Sequence, residues 1–113
     1  MATASGPIFH YEIEDIKDEL GGFMVTTIKC HGKLTSENSD EIRELVHPLI
    51  LRGGQIALDF ADLQFLDSSG LGAIVGLKVS AINRGLCVLH LRNLTPRVKE
   101  LLRITNLLQL FSS

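Results

Sequence analysis

The residues with the most chemical promise share one stretch, Phe65-Leu66-Asp67-Ser68-Ser69-Gly70-Leu71-Gly72. It lies where an apolar, strand-like run hands over to a long helical pattern. A helix N-terminus presents unpaired N–H groups and the positive end of the dipole. A serine there sits in a local field that tolerates negative charge. Neighbouring glycines keep bulk away and let another backbone or a phosphate come close. Two uses of these residue types stand side by side. In one, Asp67 or Ser68 simply caps the helix and the glycines serve packing. In the other, a serine hydroxyl is there to be reached. A nucleophile elbow is not supported, because Leu66 and Asp67 precede the serines where GxSxG spacing is needed and no histidine is near in sequence. A phosphate-binding GxxxxGK[ST] loop is absent as well.

Other reactive side chains are scattered. Cys30 and Cys87 each sit in an apolar run and read as reduced core thiols. No CxxC or Cys/His cluster has metal-ligand spacing. His10, His31, His47 and His90 read as surface or structural residues. No metal and no cofactor is expected.

The elements that must position the serine stretch can be read from periodicity. A tail over residues 1–8 is small and polar, lacks an apolar signal core and is expected to be flexible. Residues 9–113 are expected to form a single domain. A short strand over 9–13 and another over 23–31 flank Gly21-Gly22, a hairpin signal. Met24, Thr26, Ile28 and Cys30 alternate as a core face. After a loop over 32–39, Ile42, Leu45, Val46, Leu49 and Ile50 mark an amphipathic helix, with Asn38 and Glu41 in capping-box spacing. Pro48 falls inside that helix, so a kink or an early end is expected, at a cost of about 3 kcal/mol. Residues 55–60 read as a short strand and 61–67 as a linking stretch. A long helix over 70–84 ends at Gly85. The compact apolar run 86–91 is the best candidate for a central strand. Thr95-Pro96 starts a last helix, and 107–111 forms a closing apolar turn. Strands alternating with helices predict an α/β fold, with a mixed, mostly parallel sheet of about four to five strands and helices packed mainly on one face.

The long helix carries a second clue. At about 100° per residue, Leu71, Ile74, Val75 and Ile82 fall on one side, with Lys78 among them expected to snorkel outward. Ser69, Gly72, Ala73, Gly76 and Ser80 fall on the other. A face turned only to solvent would carry charged residues. A small-residue face lets a partner approach closely, or packs under a neighbouring element of the same chain.

Composition narrows the function classes. The chain has 113 residues, 45% hydrophobic and 21% charged, with 11 basic and 13 acidic residues and a net charge of −2. That suits a globular domain that hides roughly two-thirds of its unfolded surface. It offers no basic footprint for nucleic acid or for an anionic membrane. No segment is apolar for long enough to span a bilayer, and a cytoplasmic location is expected.

Asp67-Ser68-Ser69-Gly70-Leu71-Gly72 resembles the signature of STAS domains in bacterial anti-sigma-factor antagonists. Gly32-Lys33-Leu34 is similar to the G-x-L that closes the family's second strand, and Leu58-Asp59-Phe60 to its third strand. Residues 85–91 resemble the strand after the long helix, and 107–111 the closing tail. The likeness spans about residues 9 to 111; Pro48 departs from the usual pattern. The resemblance implies partner switching. The unphosphorylated antagonist binds an anti-sigma factor that is also a serine kinase, which frees the sigma factor. Phosphorylation by that kinase releases the antagonist, and a serine phosphatase resets it. By the same match the phosphoacceptor is Ser69, with Ser68 as fallback, and Asp67 helps hold the loop. The partner surface would comprise Asp67, Ser68, Ser69, Gly70, Gly72, Ala73, Gly76 and Ser80, on a monomer or weak dimer without catalytic activity or direct contact to nucleic acid or membrane. The alternatives are a STAS scaffold or regulatory module in a stress-signalling or transport complex, and a small enzyme or nucleotide binder suggested only by a serine at a helix start.

Overall fold

Alternation along the second strand decides which way the sheet faces. A computed structural model describes residues 8–17 and 24–111. In it β1 (His10–Lys17) pairs antiparallel with β2 (Met24–Leu34). On β2, Thr26, Ile28, Cys30 and Leu34 are at most 1% exposed, whereas Lys29, between them, is exposed. One face of the strand is therefore core and the other is open. The turn signal at Gly21-Gly22 lies outside the described residues. Phe9 is buried, and β1 runs four residues past the expected strand end at Ile13.

Helix α1 (Ser39–Arg52) follows, then β3 (Gly54–Leu66), α2 (Ser68–Arg84), β4 (Cys87–Arg92), α3 (Pro96–Ile104) and a 3-10 turn over Leu108–Phe111. The strand order is β1-β2-β3-β4, with β2–β3 and β3–β4 parallel. The sheet is mixed and mostly parallel, an α/β fold as the alternation predicts. Ile42, Val46 and Ile50 of α1, Ile74 and Leu77 of α2, and Val98 and Leu102 of α3 join Ile28, Leu58, Phe60 and Leu89 of the sheet in one core.

Four expectations are corrected. Of the kink or early end expected at Pro48, the early end does not occur: α1 continues to Arg52. Ile42, Val46 and Ile50 are at most 1% exposed, and burying each stabilises by roughly 1.5–3 kcal/mol. Together they outweigh the missing proline N–H. Asn38 does precede α1 but makes no capping bond into it. Its Oδ1 instead accepts from Thr35 N at 3.0 Å, a side-chain-to-backbone bond that reaches back three residues to close the β2–α1 loop. Residues 61–66 are not a linker but the second half of β3. Two register shifts against β2, between Lys29 and His31 and between Gly32 and Lys33, place extra residues on β3. That breaks the period-2 pattern a strand normally shows. Finally β4 is an edge strand rather than a central one; Val88, inside its apolar run, is 46% exposed.

The remaining end signals act as expected. Thr95 Oγ1 accepts from Val98 N at 3.3 Å, with Pro96 as the first residue of α3. Gly85 ends α2 at φ +75°, its N–H reaching the Ala81 carbonyl.

Candidate functional site

The site is built where β2 and β3 end side by side. Leu34 closes β2, and its carbonyl accepts the Asp67 N–H at 3.2 Å. Asp67 is extended, at φ −96° and ψ −177°, and caps α2. Its Oδ1 accepts from Gly70 N at 2.8 Å, which satisfies a donor at the helix start. Its Oδ2 accepts from Ser36 N at 3.3 Å. One carboxylate thus ties the first turn of α2 to the β2–α1 loop. That second contact has no signal in the sequence, because Ser36 contributes only its backbone.

Gly70 is what lets α2 sit so close. A Cβ there would lie 2.4 Å from the Leu34 carbonyl oxygen and 2.9 Å from Leu66 Cδ1. Gly70 is buried, so its small size serves packing within the chain. Ser68 and Ser69 occupy the first two positions of α2, Ser68 exposed and Ser69 half-buried. Neither hydroxyl bonds another described residue. Ser69 is therefore not sealed inside the domain.

The faces of α2 differ in part from the helical-wheel expectation. Leu71, Ile74, Leu77 and Ala81 are buried, but Ile82 is 55% exposed and Val79 43%. Lys78 does not snorkel to water. It is 6% exposed, and its Nζ donates to the Leu89 carbonyl of β4 at 2.8 Å. Ala73, expected on the small-residue face, is 0% exposed and offers no surface to a partner. Gly72 and Gly76 are exposed, and a Cβ at either would meet nothing within 4 Å. Ser80 is half-buried. Gly76, Leu77 and Ser80 form one wall of a groove of about 610 Å³, and Arg43, Glu44, His47 and Pro48 of α1 form the other. The α1 wall went unread in the sequence, where Pro48 signals a kink or helix end and His47 a surface or structural residue, and none of the four points to a groove. The face that remains is Ser68, Ser69, Gly72, Gly76 and Ser80, with Asp67 at its head.

Both thiols are buried and unpaired. Burial, with Asp59 adding to it, pushes the Cys30 thiol up to about 12. Cys87 is raised as well, chiefly by burial. No cluster of three or more His, Cys, Asp or Glu residues able to hold a metal occurs among the described residues. No described helix is long and apolar enough to cross a membrane.

Comparison with known proteins gives the geometry a family. The STAS domain profile matches residues 21–113. The anti-sigma factor antagonist SpoIIAA in its unphosphorylated form is 24% identical, with a TM-score of 0.70 over 88% of this chain and 84% of that one. The phosphorylated form of the Bacillus protein gives 23% and 0.66, over 87% and 85%. An anti-sigma factor antagonist from Mycobacterium paratuberculosis gives 15% and 0.71, over 93% and 84%. The murine anion transporter Slc26a9 gives 20% and 0.62, over 71% of this chain but 13% of the transporter. No curated protein sequence matches. At these identities the structural likenesses establish the fold, and the profile, covering most of the chain, establishes descent: the chain belongs to the STAS domain family.

Proposed function

We propose that this protein is an anti-sigma factor antagonist controlled by phosphorylation of Ser69. In this reading the unmodified form binds an anti-sigma factor with serine kinase activity and so releases a sigma factor. The kinase then phosphorylates Ser69 and the complex separates, until a serine phosphatase restores the hydroxyl. The protein itself catalyses nothing, needs no cofactor and works in the cytoplasm as a monomer or weak dimer.

The observation that carries the reading is the placement of Ser69. Ser69 is a half-buried residue in the first turn of α2, and its hydroxyl bonds no other described residue. It heads a face whose glycines, Gly72 and Gly76, leave open space. A phosphoserine adds about −1.5 to −2 charges. The helix dipole returns about 0.3–1 kcal/mol per charge, and the Asp67 carboxylate two residues away opposes it. The fold should therefore change little. Burying the same dianion in a close interface without a matched cation costs several kcal/mol, and about 4.1 kcal/mol is a thousandfold in affinity. The likeness to SpoIIAA in both its unphosphorylated and its phosphorylated form supports a fold that the modification leaves in place.

The test pairs the protein with its serine-kinase anti-sigma factor. Intact mass after incubation with ATP should show one phosphate, mapped to Ser69 and lost in Ser69→Ala. Ser69→Asp should unfold at the parent's urea midpoint yet bind the kinase about a hundredfold or more weakly. Parent-like binding by both variants rejects the reading, and so does a phosphate mapped elsewhere. The likeness to an anion transporter favours a second use, as a regulatory module without phospho-switching. Sedimentation that finds a large defined assembly would point there.

A further inference from the structure

The face of the sheet turned away from α1 and α2 carries a row of ionisable groups unrelated to the serine site. His31 of β2 lies between two carboxylates from the flanking strands. Its Nδ1 is 2.6 Å from Asp62 Oδ2 of β3, and its Nε2 is 2.8 Å from Glu12 Oε2 of β1. The His10 ring of β1 stacks on it at 4.6 Å and 11°. The His31 side chain is 17% exposed, and the carboxylates are 60% and 66% exposed.

This geometry sets the charge state. A neutral imidazole has one N–H and one bare lone pair. It can donate to one carboxylate, but it must then point its lone pair at the other across less than 3 Å. Only the imidazolium donates from both nitrogens. We propose that Glu12, His31 and Asp62 form a proton-dependent clamp across three strands, which fastens β1 to the sheet and fixes the register of β2 on β3 when His31 is charged, and which loosens as the solution becomes alkaline. The clamp sits beside the register shift between Lys29 and His31, where β3 carries an extra residue and ladder bonding is locally broken. A side-chain tie has most to contribute there. The other charged or titratable groups facing His31 are His10 of β1 and, two residues away on either side along β2, Lys29 and Lys33. Asp59 of β3 pairs in register with Lys29, and Arg92 of β4 pairs in register with Asp59.

The sign of the pH effect follows. The Asp62 hydrogen bond does most to hold the His31 imidazole above its ordinary 6.5; desolvation, next in size, opposes it, and the Glu12 bond and the two negative charges add to the rise. A group whose pKa is raised by folding contributes in full below its unfolded value. The contribution disappears as pH rises through the folded value. Stabilisation by the clamp is thus present below about 6.5 and lost on the alkaline side of that.

The experiment follows the His31 ring by NMR titration, beside urea midpoints of the parent, His31→Gln and Asp62→Asn at several pH values between about 6 and about 9. His31 should titrate above 6.5 in the parent and fall back toward that value in Asp62→Asn. The parent's midpoint advantage over both variants, present at the acidic end, should vanish at the alkaline end. Exchange of the β1 amides, corrected for the intrinsic rate, should speed up over the same interval. A His31 pKa at or below 6.5, or a midpoint advantage that stays constant with pH, overturns the proposal. The parent's titration and β1 exchange decide it even if His31→Gln does not fold.

Discussion

Three glycines in one helix make opposite predictions, and alanine at each tests them. In a helix interior, alanine is favoured over glycine by about 0.5–1 kcal/mol. At Gly72 and Gly76 the added methyl meets nothing within 4 Å, so each variant should gain that amount. At Gly70 the methyl would lie 2.4 Å from the Leu34 carbonyl oxygen and 3.0 Å from its carbon. Those are backbone atoms at the end of a paired strand, and no rotamer change relieves the clash. Overpacking of this kind costs about 1–3 kcal/mol, and a contact so short with backbone belongs near the top of that range. After the helix gain is subtracted, Gly70→Ala should destabilise by about 1–2 kcal/mol. The variants at positions 70 and 72 should then separate by about 1.5–3 kcal/mol. With an m-value of about 1–3 kcal/mol/M in urea, that is a midpoint difference on the order of 1 M. Equilibrium unfolding in urea, followed by far-UV circular dichroism, resolves such a gap. Coincident midpoints for Gly70→Ala and Gly72→Ala would show that α2 does not rest on the end of β2 as described, and the account of how Ser69 is placed would fall with it.

Removing the Asp67 carboxylate should cost more than an ordinary cap. Asp67→Ala frees both Gly70 N and Ser36 N, a loss of about 1–2 kcal/mol, while Asp67→Asn keeps one acceptor oxygen and should lose less; urea midpoints rank the two. Cys30 should be inert in the native protein. A thiol at about 12 instead of 9.0 holds about a thousandfold less thiolate near neutral pH. Alkylation followed by mass spectrometry should therefore label Cys30 only once urea unfolds the chain.

Local chemistry made much of the architecture legible before any coordinates. The cap at Thr95-Pro96, the stop at Gly85, the α1 stripe from Ile42 to Ile50 and the alternation along β2 all act through nearest neighbours, and all four are found. The misreadings arise where a residue's fate depends on distant partners. The stretch after Phe60 looks like a linker because β3 bulges against β2, leaving Leu63 and Leu66 buried at a spacing of three. The phase of α2 was drawn from large apolar side chains. Ala73 and Ala81 carry little weight in such a pattern yet are buried, and Lys78 is held by a carbonyl that no periodicity reveals. The serine stretch was visible because its meaning is local: an acid, two hydroxyls and glycines at a helix start. The loop held by Asp67 and the row centred on His31 were not, since both require residues 31 positions apart to meet.

The strands lie in the sheet in the order in which they occur in the chain. No strand inserts between two others, so the sheet can grow from one side, each new strand adding to a finished neighbour. Two of the three pairings are parallel and each must close over a helix, so joining only consecutive strands keeps those closures as short as a parallel sheet permits. The seat for the serine draws on the second and third strands, where Leu34 and Asp67 meet, and on the fourth, whose Leu89 carbonyl anchors Lys78 of the serine's helix. Damage at that outer margin should therefore travel to the serine along the helix it anchors.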